Sequence, residues 1–466
     1  MRIEEDIVQA GYFWLPSNEG KKIPGKLKIT DGGHIELEAV GLFDEHEQAL
    51  SNDTHVVPRI IGLVEGGKFV TLDHCYYKNR SISFGGVSKS ELIAGCLLSG
   101  VAFEQDESIL FDRFSFSTDC FDEWLGITGF SIKREANNKK YNIDYHAPDT
   151  IQYKLNNGMT LSIKFKNSMP ISSHVTEVHA VQKAFIELSF EELLPFEEFR
   201  STAFKLVSFL GFAIDKTVTI KDVVARSSKI TQKFNDIEHS TPIPVYYKSN
   251  PFVEKVAKQH PVEMLFNFKV IHHNAESVFS NWISAYEQIS PAINLYFATI
   301  TGAQKYLDGR FLALVQGLET YHRRTSNDKL MDTKVFEELV DNLLEHCPSE
   351  HRDWLNKQLF HGNEISLNKR LRLITKPFKH YLGSNKEVDK VLRKIVDARN
   401  YFTHYDQRLE GETATGVELV YLCDVMELIF QLHLLKVIGF TDDEIKEVIT
   451  KQTTLRRKVN SIKKLQ

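Results

Sequence analysis

The sequence predicts an α+β protein. A β-rich N-terminal domain of antiparallel sandwich or barrel type occupies residues 1–250, and an all-α helical bundle occupies residues 251–466. Three observations carry this division. Short alternating segments separated by glycine turns crowd the stretch from Lys22 to about Lys166. Two proline signals, Pro242-Ile243-Pro244 and Ser249-Asn250-Pro251, mark a hinge between the halves. After Pro251 apolar residues recur at three-and-four spacing nearly to the end of the chain.

The elements follow in order. Lys26-Leu27-Lys28-Ile29 alternates, Asp31-Gly32-Gly33 turns, and Ile35-Glu36-Leu37-Glu38 alternates again. Ile60 to Val64 and Phe69 to Leu72 flank Glu65-Gly66-Gly67 as a second hairpin. Tyr153 to Leu155 and Met159 to Phe165 flank Asn156-Asn157-Gly158 as a third, with an Asn-Gly turn signal. A strand around Val178 to Phe190 precedes a helix from about Pro195 to Leu210. That helix has Phe199, Phe204, Leu206, Val207 and Leu210 largely on one face. In the second half, Ala275 to Gln288 reads as a helix, and Pro291 to Arg324 as a longer pair interrupted near Gly309. Val417 to Ile438 is the bulkiest core helix, with Gly439 as its C-terminal stop. Thr441-Asp442-Asp443-Glu444 is a capping box that opens a final helix.

Composition narrows the function classes. The chain has 466 residues, enough for two domains with separate cores. Apolar content of 42% and charged content of 26% are those of a soluble globular protein. A net charge of −5 argues against a nucleic-acid coat or a polybasic membrane binder, while allowing a local basic patch. Five scattered cysteines without a C-x-x-C pair suggest neither a disulfide framework nor a cysteine-based zinc site, which fits a cytoplasmic protein. The Val417 to Phe440 run contains Asp424, Glu427, Lys436 and other polar residues, so it reads as a buried helix, not a membrane span. Neither a cofactor motif nor a metal motif is present, and no cofactor is expected.

The chemistry-bearing stretch is KVLRKIVDARNYFTHYD, from Lys390 to Asp406. Val388, Val391, Leu392, Ile395 and Val396 form a helical apolar stripe. The next turn of that stripe lands on Arg399 and Phe402. An arginine on a core-facing stripe has either a partner or a task. Asn400 follows, and His404 lies four residues later on the same face. On spacing alone, the favoured reading is a satisfied ion pair at Arg399 and a cation at a helix C-terminus at His404.

Arg399-Asn400-Tyr401-Phe402-Thr403-His404 resembles the R-N-x-x-x-H motif of the HEPN ribonucleases, all-α proteins of bacterial toxin–antitoxin and anti-phage systems. GYFWLPSNEGKKIPGKLKIT at Gly11 to Thr30 resembles the opening of the ApeA-type abortive-infection proteins. So do GHIELEAVGLF at Gly33 to Phe43 and IIGLVEGGKFVTL at Ile60 to Leu72. The resemblance covers nearly the whole chain and shifts the balance to the functional reading. It implies an anti-phage effector that cuts RNA, tRNA by analogy with related toxins, without metal and leaving a 2′,3′-cyclic phosphate.

In that chemistry the 2′-OH of RNA is the nucleophile. His404 exchanges protons near neutrality, Arg399 grips phosphate oxygens, and Asn400 orients His404 or holds a phosphate or sugar oxygen. One histidine is thin for two proton transfers. HEPN proteins typically dimerise with motifs facing, so a homodimer or higher oligomer is expected. The resemblance further implies that the β-rich half senses infection, through a phage-derived trigger, or restrains the nuclease.

Glu319 is a further candidate site residue, with a surface pair to Arg323 at i+4 as its equal alternative. Lys369, Arg370, Arg372 and Lys376 lie in a basic segment, Ser366 to Leu382, that offers RNA phosphates a binding face or is simply a solvated face. The basic tail from Lys451 to Gln466 reads first as a solvated or disordered end. The competing reading of the whole is a non-catalytic RNA- or protein-binding HEPN module. A weaker one makes the β-half a small-ligand or glycan module on a helical dimerisation scaffold.

Overall fold

The computed structural model describes residues 1–43, 55–83, 86–134, 141–169, 176, 178–234, 237–405 and 407–465. The chain divides into two compact units, Met1–Ile283 and Ser284–Gln466.

The first unit opens with a six-stranded antiparallel barrel. Its strands are β1 (Ile7–Trp14), β2 (Ile23–Thr30), β3 (His34–Ala39), β4 (Val56–Val64), β5 (Lys68–Ser81) and β6 (Lys89–Ser99). They pair in the order β6-β3-β2-β1-β4-β5, and β5 pairs again with β6 to close the ring. Closure removes the free edges that invite aggregation. Alternation sets the faces: Leu27, Ile29, Ile35 and Leu37 are buried while Lys26 and Lys28 are exposed. The register places Leu27 opposite Leu37 and Ile29 opposite Ile35. The turn between them needs glycine. Gly33 has φ 75°, and a Cβ there would meet the Tyr247 carbonyl oxygen at 2.1 Å.

The sheet continues from β6 through ten later strands, six of which join it. These are β7 (Leu110–Thr118), β8 (Phe130–Arg134), β9 (Tyr141–Tyr145), β10 (Ile151–Lys154), β11 (Thr160–Ser168), β12 (Val181–Pro195), β13 (Ile220–Arg226), β14 (Thr231–Phe234), β15 (Ile237–Ser240) and β16 (Ile243–Tyr247). The order beyond the barrel is β6-β16-β13-β7-β12-β11-β10, and β8–β9 and β14–β15 are separate ribbons. The Pro242–Pro244 segment, read from sequence as a hinge, is instead built into this sheet. Ile243, Val245 and Tyr247 alternate inward, and β16 pairs with both β13 and β6. The prolines hid a period-two pattern that the paired strands supply with neighbours.

Helix Phe196–Ile214 packs on this sheet and runs four residues beyond its expected end. Phe199, Leu206, Val207 and Leu210 are buried as the pattern requires. Phe204 is not: it is 36% exposed, because it falls on the helix face of Glu197, Arg200 and Ser201, which is turned away from the core. Phe212 stacks on Trp282 at 5.6 Å, and Phe209 meets Phe266, Phe279 and Trp282 edge-on or tilted.

The boundary between the units falls within helix Ala275–Ile300, which kinks at Ile289, two residues before Pro291. The interruption expected near Gly309 lies earlier, between Ile300 and Leu307, and Gly309 is inside the next helix, Leu307–Thr325. In the second unit, core helix Gly416–Val437 is buried on every side from Leu422 to Leu435. It packs against Leu307–Thr325 and against Thr453–Lys464. Gly439 at φ 105° ends it, with the Phe440 amide returning to the Leu435 carbonyl at 3.0 Å. The Thr441–Glu444 capping box is formed as read. The basic tail is a helix, Thr453–Lys464, and not a solvated end. Leu455, Ile462, Ser461 and Lys458 are buried. No helix among the described residues is long and apolar enough to cross a membrane.

Candidate functional site

Helix Asn385–His404 carries the motif. Ser384 and Glu387 form a capping box at its start, and Val388, Val391, Leu392, Ile395 and Ala398 are buried along one face. That face packs on helices Leu307–Thr325 and Leu367–Thr375. Arg399 continues the stripe only halfway: it is half-buried at the rim, as are Val396, Asn400 and Phe402. The apolar face therefore ends where the chemistry begins. His404 is the last helical residue and is exposed.

The three motif residues are held by local bonds. The Arg399 Nη1 donates to Asn400 Oδ1 at 3.2 Å, and the Thr403 hydroxyl donates to the Arg399 carbonyl at 2.7 Å. Asn400 thus braces the guanidinium. Among the described residues the His404 ring has no hydrogen-bond partner, so an incoming group finds both ring nitrogens open.

The helix end is anchored by features that sequence reading missed. Tyr405 takes the left-handed conformation, φ 49°, and its amide bonds the Tyr401 carbonyl at 2.6 Å. Its phenol donates to Asp308 Oδ2 at 3.2 Å, while Asp308 Oδ1 accepts from the Gly309 amide at 2.8 Å. Phe402 meets Phe311 at 5.8 Å. Two residues beyond Asp308, Arg310 bonds Glu427 of the core helix, its Nε at 3.1 Å. Glu427 also receives Lys458 at 3.2 Å, and Lys458 donates to Gln431 at 2.9 Å. A buried ionic network therefore ties the core helix to the helix on which the motif docks. Its signal was present in the sequence as a glutamate within the most apolar run.

Glu319 falls elsewhere. It lies eight residues beyond Phe311, or about 12 Å along the helix axis. Its carboxylate pairs with Arg323 at 3.0 Å, the surface pairing offered as its alternative. The basic segment splits in two. Arg370 is 2% exposed and bonds Glu364 and His322, so it is not available to a ligand. Lys369, Arg372 and Lys376 are exposed and line one cleft of about 320 Å³ with Lys379 and Asp389.

Glu364 gathers Lys329 at 2.5 Å, Arg323 at 2.8 Å and Arg370. The bond from Lys329 and the nearby arginine charges hold its carboxyl down at about 2. The ionised form is favoured in the fold, so the stabilisation is complete above the ordinary glutamate range and is lost as pH falls through about 2. Glu364→Gln is expected to lower thermal stability at neutral pH, with the gap from wild type closing between about pH 4.5 and 2. A gap unchanged across that window would show that Glu364 acts by packing alone.

Thiol chemistry has no support at the site. All five cysteines are free, and burial pushes the Cys96 and Cys423 thiols up to about 12. Among the described residues no group of three His, Cys, Asp or Glu side chains is placed to hold a metal ion.

A helical unit that presents Arg-Asn-x-x-x-His at an exposed, anchored helix end is a HEPN-type bundle, and the Apea-like HEPN family matches residues 312–444. The ApeA N-terminal domain 1 family matches residues 9–282, more than half of the chain. The chain therefore belongs to the ApeA family, as an ApeA-type protein with a C-terminal HEPN domain. No curated protein matches it. No solved structure matches it either.

Proposed function

We propose that this chain is an anti-phage abortive-infection effector whose HEPN unit cuts RNA through the substrate's own 2′-OH. The observation that carries the proposal is the Arg399–Asn400 pair beside an exposed, unengaged His404 at one helix end. In this reading His404 removes the 2′-OH proton or protonates the departing 5′-oxygen, and Arg399 takes the phosphate oxygens. Asn400 fixes the guanidinium so that little ordering is left to be done on binding. The products are a 2′,3′-cyclic phosphate and a 5′-hydroxyl, and no metal ion takes part. ApeA membership supports the wider role, with tRNA as the expected RNA and a phage-derived signal as the trigger.

Two proton transfers call for two groups, and this helix supplies one histidine. A homodimer that brings two motifs together meets the need. Mixing an inactive His404→Ala chain with wild type tests it. If the site is shared, the mutant poisons the activity more than dilution does; a loss proportional to dilution would assign the reaction to single chains.

The cleft lined by Lys369, Arg372 and Lys376 favours a second reading, an RNA-binding module without catalysis. Purified wild type that retards RNA on a gel without cutting it, before and after addition of extract from phage-infected cells, would establish that reading.

A further inference from the structure

The residue that follows His404 has an unusual backbone for its size. Tyr405 ends the motif helix in the left-handed region, at φ 49° and ψ 42°. Helices usually reach that conformation with glycine, or with asparagine, because a Cβ crowds the backbone there. Two other helices of the chain keep to that chemistry. Phe121–Leu125 ends on Gly126, and Phe196–Ile214 ends on Asp215, whose short polar side chain tolerates the region. A bulky aromatic residue there is an outlier, and strain of this kind collects at functional sites.

Burial does not account for the tyrosine. Tyr405 is 57% exposed, so more than half of its surface is open to water. Its ring is nevertheless fixed. The phenol donates to Asp308 Oδ2 at 3.2 Å, and Tyr401 and Phe402 meet the ring edge-on at 5.5 and 6.2 Å. Phe402 in turn rests against Phe311. A glycine would end this helix with less strain, and an idle surface ring would need no anchor. What the arrangement provides is a rigid, open aromatic surface directly beside the exposed His404.

We propose that Tyr405 is a stacking platform for an unpaired RNA base next to the phosphate that is cut. Every base has a π-face, so stacking gives affinity without reading sequence. A base inside a duplex already has both faces covered, so the platform favours single-stranded or loop RNA. The anchored ring loses little freedom when the base arrives. Tyr405 binds and positions the substrate and moves no proton. The inference rests on the ribonuclease reading for its ligand.

The test uses full-length His404→Ala, which is expected to bind RNA without cutting it. Its affinity for a short single-stranded oligouridine, and for the same strand paired with oligoadenine, is measured by fluorescence anisotropy. The single strand should bind the tighter. Adding Tyr405→Asn, which suits the left-handed backbone but lacks the ring, should weaken single-strand binding about 5- to 150-fold, the loss of one stacked base. Adding Tyr405→Phe instead, which keeps the ring, should retain most of the affinity. A second reading needs no change at Tyr405: an oligomer of 5-iodouridine, irradiated on His404→Ala, should cross-link to Tyr405. Equal affinity with and without the ring, equal affinity for single strand and duplex, no saturable binding of the oligouridine, or cross-links that leave Tyr405 unlabelled would each overturn the proposal. The ribonuclease reading fails on a different result, RNA cleavage that survives His404→Ala.

Discussion

Replacing His404 or Arg399 with alanine is expected to abolish the proposed RNA cleavage and to leave the protein folded. This is the largest expected effect on activity. A positioned acid or base contributes about 10²- to 10⁴-fold to a proton-transfer step. A donor aimed at developing charge contributes about 10²- to 10³-fold. Neither change costs much stability. His404 is exposed at a helix end, and Arg399 is half-buried with its side-chain bond to the adjacent Asn400. Surface substitutions of this kind usually stay within about 0.5 kcal/mol. Arg399→Lys keeps the charge but loses the planar fork, so it should recover only a small part of the activity. Variants that remain fully active while matching wild type in thermal unfolding would remove both residues from the mechanism.

The largest expected effect on stability lies in the ionic network behind the site. Glu427→Ala strands Arg310 and Lys458, of which the Lys458 side chain is only 5% exposed. Breaking a buried pair by removing one partner costs about 3–5 kcal/mol. For a unit of this size that is a fall of roughly 10 °C or more in Tm. Replacing Glu427 and Lys458 together by apolar residues of similar volume should cost less than Glu427→Ala, because the buried Lys458 charge is gone and Arg310, whose side chain is 29% exposed, is the one cation of the pair left to water. Lys451 is the control: it pairs with Glu447 in water, and Lys451→Ala should change little. A Tm for Glu427→Ala within a degree or two of wild type would show that water reaches Arg310 and Lys458 and screens them.

How much of this was legible in the sequence depended on range. Glycine turns, capping boxes and the motif helix are set by neighbours a few residues apart, and Gly33, Ser384–Glu387 and Thr441–Glu444 stand where the pattern placed them. The R-N-x-x-x-H spacing likewise marked one helix end. What could not be read was set by residues far away in the chain. Lys458 read as a solvated cation because its acidic partner, Glu427, becomes its neighbour only through folding, and Arg370 because the helix of His322, 48 residues away, covers it. The Asp308–Tyr405 contact spans 97 residues and has no local signature.

The central claim is that His404 moves a proton in RNA cleavage. Its most direct test is to incubate purified wild type and His404→Ala with total bacterial RNA in EDTA, with extract from phage-infected cells as the trigger, and to read the ends. Discrete fragments from wild type alone, ending in 2′,3′-cyclic phosphate and beginning with 5′-hydroxyl, are the predicted result. Equal cleavage by His404→Ala, or wild-type fragments with 3′-hydroxyl and 5′-phosphate ends, would contradict the account.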